Sequence, residues 1–139
     1  MSDFIRLFKE KGNLSFIGMR DAAESLLPMN RVERDKLYHD LSRGKGILDD
    51  DNHLNMYLHS FGKMHKAKLE TAFNAIPDFV HLLKEDFEIY DWGCGQGTAT
   101  VCFLDFLASH KITPRLLNIN LIEPSKAAVT RASEVISCI

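Results

Sequence analysis

The chain has 139 residues, of which 45% are hydrophobic and 26% are charged, and its formal net charge is −2. These values are ordinary for a soluble globular domain, and a charge so near neutrality gives no general attraction to nucleic acid. No apolar run approaches the ~18 residues that a membrane span requires, and no signal-peptide pattern opens the sequence, so we expect a cytoplasmic protein with no membrane partner.

Helical patterns fill the first half of the chain. Apolar side chains at helical spacing predict an amphipathic helix that ends at Gly12 and a second helix over residues 15–27. Asn30, with Glu33 three positions later, resembles a capping box and opens a third helix that runs through Ser42. We expect the apolar stripes of these helices to form a core with one another rather than a binding groove.

A loop is expected over residues 44–51. Lys45 lies between two glycines, but the Walker pattern of a phosphate-binding loop is missing, so a flexible turn is the favoured interpretation. Asp49, Asp50 and Asp51 stand just ahead of a long helix, where carboxylates cap the N-terminus and complement its dipole. We prefer this role to a metal site, because the spaced ligands of a calcium loop are missing.

The longest periodic element covers residues 52–76 and is stopped by Pro77. Gly62 lies inside this helix at a cost of about 1 kcal/mol relative to alanine, so it marks either close packing or a slight bend. A short helix is expected from Asp78 through Leu83. The stripe of the long helix that we expect in the core consists of Leu54, Tyr57 or Leu58, Phe61, Met64, Leu69, Phe73 and Ile76.

One side of the long helix is basic. Such a face is usually solvated, and contact with nucleic acid is the alternative interpretation. The side chains that form this face are His59, Lys63, His65, Lys66 and Lys68.

A strand, a glycine-rich loop and a helix follow in order. The β-formers of residues 87–90 end in Asp91, and three glycines then occupy alternate positions, at Gly93, Gly95 and Gly97. Glycine is required where the backbone takes a positive φ or must approach a ligand closely, and the free N–H groups of a helix start attract polar ligand groups. The helix after the loop is expected over 98–109, and its inward side chains are Val101, Leu104, Phe106 and Leu107.

A second strand is predicted over Leu116–Ile122 and is followed by Glu123. A last helix is expected over 126–137, with Ala128, Val129, Ala132 and either Val135 or Ile136 turned inward. A right-handed crossover makes the two strands parallel, so that the loops after them open at the same edge of the sheet. Asp91, the glycines and Glu123 are therefore expected to converge at one site.

The segment Asp91-Trp92-Gly93-Cys94-Gly95-Gln96-Gly97 resembles the first motif of the class I S-adenosylmethionine-dependent methyltransferases, D/E-x-G-x-G-x-G. Residues 118–123 resemble the second strand of that family, and the resemblance covers roughly residues 86–138. It implies that Asp91 lies near the methionine moiety of the cofactor, that the glycine backbone lets the cofactor pass closely, and that Glu123 accepts hydrogen bonds from both ribose hydroxyls.

The resemblance also implies roles for other side chains. Trp92 either shapes the methionine end of the cofactor site or packs against the protein. Cys94 belongs to the motif as a structural cysteine, although its place near a helix N-terminus would lower the pKa of a thiol. Tyr57, His65 and Lys66 are candidates to cover the cofactor, while a core position for Tyr57 and an exposed position for His65 are the simpler expectations.

The nearest competitor is a dinucleotide-binding oxidoreductase with the pattern G-x-G-x-x-G and an acidic residue about 20 positions further on. Gly93 and Gly95 fit its first two glycines, but Thr98 stands where the third should be. An acidic residue such as Asp91 just before the loop is unfavourable for an anionic pyrophosphate and favourable for a sulfonium with an amino group. S-adenosylmethionine is therefore the expected cofactor, with no metal.

The expected fold is α/β, with a helical N-terminal region over residues 1–84 and the first βαβα part of a Rossmann-like methyltransferase fold over 85–139. A complete sheet of that family has more strands, so we expect a fragment of a larger enzyme that is inactive alone. Two strands leave two unpaired edges, which suggests a homodimer through an edge or cover by the N-terminal helices. A non-catalytic module that binds a partner protein is the alternative function, and the methyl acceptor is not identified.

Overall fold

The computed structural model describes residues 1–139 and combines seven α-helices with two parallel strands, which confirms the mixed helix-and-strand content. The element bounds are α1 Asp3–Glu10, α2 Phe16–Ser25, α3 Arg31–Asp40, α4 Asp51–Ala75, α5 Phe79–Leu82, β1 Phe87–Trp92, α6 Thr98–Ser109, β2 Leu116–Ile122 and α7 Lys126–Ile136. A single 3₁₀ turn, Ser42–Gly44, follows α3. None of the helices is both long and apolar enough to cross a membrane.

Short polar side chains begin most of the helices. Asn30 Oδ1 accepts hydrogen bonds from the backbone N–H groups at the start of α3, but the bond from the Asn30 N–H to the Glu33 carboxylate that would complete a capping box is not made. Asp50 Oδ1 accepts from the N–H groups of Asn52 and His53, which confirms the capping role predicted for the aspartate run before α4.

The largest apolar cluster joins both halves of the chain. It contains α1 and α2 side chains together with Leu58 of α4, Val101 and Cys102 of α6 and Val135 of α7. The expected division at residues 84 and 85 therefore does not separate two cores, because the N-terminal helices pack directly on the helices that flank the strands. The members from α1 and α2 are Phe4, Ile5, Phe8, Phe16, Met19, Ala22 and Ala23.

The predicted core stripe of α4 is confirmed at Leu69 and Phe73, which pack against the core, and is wrong at two positions. Met64 and Ile76 are exposed, whereas Leu54 and Leu58 are buried as expected. In the second half of α4, Phe73 packs against Phe79 of α5 and against Phe103 and Phe106 of α6. Gly62 marks close packing, since a Cβ at this position would lie 3.0 Å from Phe16 Cζ.

The two strands pair in parallel, from Phe87 opposite Leu116 to Trp92 opposite Ile122, as predicted. One face of this sheet is covered by α6, whose Phe103 and Phe106 pack near Phe87 and Ile89. Val101, which we expected on the sheet, instead faces the N-terminal helices, because α6 is sandwiched between two layers and is apolar on both sides. Neither strand pairs with a third, and the homodimer through a strand edge stays a prediction.

Candidate functional site

A cleft of about 710 Å³ opens at the carboxyl ends of the two strands. This volume lies within the range of about 300–1,000 Å³ that is usual for small-molecule sites. Its walls come from four parts of the chain: the segment 44–48, one side of α4, the glycine loop after β1, and the turn after β2 that begins α7. The N-terminal helical region therefore supplies half of the site.

Asp91 lines the cleft from the last inward-facing position of β1. Its Oδ2 accepts a hydrogen bond of 2.7 Å from the hydroxyl of Thr100, which lies one turn into α6 and is buried. This bond fixes the orientation of the carboxylate, while no protein group donates to Oδ1. The side chain is thus held in place and retains acceptor capacity for a ligand.

The glycine loop leaves open space above its backbone. Gly93 and Gly95 have φ values of 66° and 52°, and a Cβ added at either would meet no atom within 4 Å. The loop is tied to β2, because the N–H groups of Gly93 and Cys94 both donate to the carbonyl oxygen of Ile122, at 2.7 and 3.1 Å. A side chain would fill the space that these glycines leave to the cleft.

Glu123 lies directly beside the glycine loop. Its Oε2 accepts from the N–H of Gly95 at 3.0 Å, and its Oε1 accepts from the N–H of Ser125 at 2.9 Å. Asp91 also lines this cleft, so the two acids lie at one end of the sheet, as the parallel strands predict. Each oxygen of a carboxylate has about two acceptor sites, so both oxygens of Glu123 keep one for a ligand.

Cys94 is buried in the loop and has no nucleophilic character. Burial, together with the nearby carboxylates of Asp91 and Glu123, raises the pKa of its thiol to about 11. The thiol is protonated at neutral pH, and only the thiolate is a nucleophile. This agrees with its interpretation as a structural cysteine.

Two residues predicted to touch the cofactor do not line the cleft. Trp92 is 76% exposed and lies on the outer face of the sheet, because it follows the inward-facing Asp91 and successive strand residues alternate between faces. It neither shapes the cleft nor packs in the core. Gly97 is buried beneath α7, where a Cβ would lie 3.1 Å from that of Ala132. Its absent side chain allows α6 and α7 to approach each other.

A buried polar network supports the loop, and the sequence analysis missed it. Arg131 is only 3% exposed, and its Nη1 donates to Asn55 Oδ1 at 2.8 Å and to Gln96 Oε1 at 3.1 Å. Its Nη2 donates to Asp51 Oδ1 at 2.7 Å. Burial lowers the pKa of Arg131, and the ion pair with Asp51 opposes this change. The sequence signal for this network was a charged residue, Arg131, on the apolar face of α7, where a buried charge needs partners.

Gln96 carries the connection from this network into the glycine loop. Its side-chain amide donates to the carbonyl oxygen of Leu54 at 2.8 Å while its oxygen accepts from Arg131. Gln96 is buried and also lines the cleft. The start of α4 and the middle of α7 therefore hold the loop from below.

The α4 wall brings Tyr57 and His65 together. Tyr57 Oη lies 3.1 Å from His65 Nε2, the two rings are stacked, and both residues line the cleft. Tyr57 is half-buried and packs against the core cluster of Leu27, Leu41 and Met56, as expected, and burial raises its pKa. His65 is half-buried, so the exposed position expected for it is wrong. Lys66 does not line the cleft and pairs with Glu70, whereas Lys68 does line it.

The ligand of the cleft is therefore inferred from its geometry and from the chemistry of its side chains. No family model, curated protein or solved structure matches this chain.

Proposed function

We propose that this chain binds S-adenosylmethionine and forms part of a class I methyltransferase with a Rossmann-like cofactor domain. The observation that carries the proposal is that Asp91, the open positions of Gly93 and Gly95, and Glu123 line one cleft. When bound, this cofactor supplies an electrophilic methyl group on a sulfonium. The chain's own residues would bind and orient it and would keep water away from the reacting groups.

Glu123 fits the ribose. A vicinal diol presents two hydroxyl donors, and a carboxylate has only acceptors, so the two groups are complementary. The bonds from Gly95 and Ser125 hold this carboxylate in one orientation and still leave an acceptor site on each oxygen. The side chain is therefore preorganised for a diol before any ligand arrives.

The Asp91 end of the glycine loop fits the methionine moiety. The Asp91 carboxylate, held by Thr100, offers negative charge to a ligand that carries an ammonium and a sulfonium. The same charge disfavours the pyrophosphate of a dinucleotide, which would have to pass close to the loop. Adenosylmethionine is thus favoured over a nicotinamide or flavin cofactor by the sign of the charge at this position.

Calorimetric titration of the full chain with S-adenosylhomocysteine tests the proposal. We expect saturable binding by the wild type and a loss of affinity of about 10- to 100-fold in Glu123→Gln, because each hydrogen bond to a charged group is worth about 1.5–3 kcal/mol. Asp91→Asn keeps an acceptor for Thr100 and is expected to weaken binding by about 10-fold.

Glu88→Gln is the matched control, since Glu88 is an exposed glutamate on the outer face of β1. Its affinity should equal that of the wild type, and thermal melts of all variants should show intact folding. Absence of wild-type binding, or equal affinities of Glu123→Gln and the wild type, would overturn the proposal. A titration with NAD⁺ that gives the tighter complex would favour the oxidoreductase instead.

A further inference from the structure

The segment 44–48 forms one wall of the cleft, next to the turn after β2. All five of its residues border the cleft, and Leu48 is hydrogen-bonded to Ser125 of that turn. Within this wall Ile47 is 63% exposed, so its side chain is accessible to a ligand in the cleft.

Both ends of the segment are anchored. Ser125 Oγ donates to the carbonyl oxygen of Leu48 at 2.5 Å, and the N–H of Ser125 donates to Glu123. Two hydrogen bonds therefore connect the segment to Glu123. At the other end Gly44 lies against the ring of Tyr57, where a Cβ would be only 2.9 Å from the ring. Lys45, Gly46 and Ile47 span the distance between these anchors.

The chemistry of this end of the cleft differs from that of the Asp91 end. Apart from Lys45, the side chains beside the segment are predominantly apolar, and they come from Ile47, Leu48, Leu54, Pro124 and Ala128. The backbone N–H groups of Gly46, Ile47 and Leu48 donate to no protein acceptor. Apolar surface next to free amide donors is complementary to a flat heteroaromatic ring with nitrogen acceptors along its edge.

We propose that the segment 44–48 is the base-binding wall of the cleft, in which Ile47 packs on the purine ring and the free backbone N–H groups read its edge. This inference rests on the proposed function, because Glu123 must hold the ribose for the base to reach this wall. It assigns base recognition to the N-terminal helical region. Ile47 is then a residue that determines ligand specificity.

The test is calorimetry of the full chain with two probes, S-adenosylhomocysteine and adenosine. Ile47→Ala is expected to weaken the binding of both probes by the same factor, about 10-fold, because both carry the base and the substitution removes apolar contact with it. Ile17→Ala is the matched control: Ile17 is 56% exposed on α2 and lies away from the cleft, so its affinities should equal those of the wild type.

Amide hydrogen exchange of the wild type supplies a second readout. Exchange at Gly46–Leu48 is expected to slow when S-adenosylhomocysteine is added. If the wild type binds but Ile47→Ala keeps its affinity, or loses affinity for S-adenosylhomocysteine alone, base packing by Ile47 is overturned and the proposed function stands. Unchanged exchange at these amides in the bound wild type overturns their role in reading the base. If the wild type binds neither probe, the proposed function fails and this inference fails with it.

Discussion

Arg131→Met is expected to lower the free energy of unfolding by about 3–5 kcal/mol, because it leaves the buried oxygens of Asn55 and Gln96 without a donor. The methionine fills much of the volume of the arginine, so the loss is mainly one of hydrogen bonds rather than of packing. Thermal unfolding followed by circular dichroism should show a midpoint about 10 °C or more below that of the wild type.

Arg31→Met is the control for this prediction. Arg31 is 94% exposed and forms only a long surface ion pair with Asp35, so its removal should change stability by less than about 0.5 kcal/mol. A second arm combines Arg131→Met with Asn55→Leu, which removes one of the stranded oxygens and should recover part of the loss. Equal midpoints for Arg131→Met and the wild type would show that the network does not stabilise the fold.

Gly97→Ala is expected to cost about 2–4 kcal/mol of folding free energy. The φ of 84° at this position costs an L-residue about 1–2 kcal/mol, and the new Cβ would lie 3.3 Å from the backbone Cα of Ala132, so α7 must shift. Urea unfolding monitored by circular dichroism of the helices gives the measurement.

Gly93→Ala separates the cost of the positive φ from the cost of close contact with α7. Gly93 has a comparable φ of 66°, but an added Cβ there meets no atom within 4 Å. Gly93→Ala should therefore lower the free energy of unfolding by about 1–2 kcal/mol, from backbone strain alone. If both substitutions destabilise the protein equally, close packing of α7 on Gly97 is not a source of stability.

Local signals predicted most of the elements and the position of the candidate site. Asn30 and Asp50 cap α3 and α4 as expected, and the rule for parallel strands placed Asp91 and Glu123 at one edge. These features depend on neighbouring residues or on one crossover, which the sequence displays directly. The resemblance to methyltransferases remains an interpretation of the same residues.

Features that depend on distant partners were not predicted. Arg131 meets Asn55 and Asp51 across 76 and 80 residues, and no local pattern indicates such pairs. Its place on the inward stripe of α7, one turn from Ala128 and Val135, was the available signal. The outward position of Trp92 follows from strand alternation once Asp91 is taken as inward. The expectation that Trp92 shapes the cofactor site or packs was therefore avoidable.

Contact between α1 and α7, together with the bond from the N–H of Phe16 to Asp105 Oδ2 across 89 residues, has a consequence for synthesis on the ribosome. The N-terminal helices are synthesised long before the helices that they pack against. The side chain of Gln96 likewise has no hydrogen-bond donor until Arg131 has been synthesised. Such distant pairings slow folding and prolong the exposure of apolar surface. The apolar faces of α1 and α2 therefore stay partly uncovered until α7 has been synthesised and can pack against them.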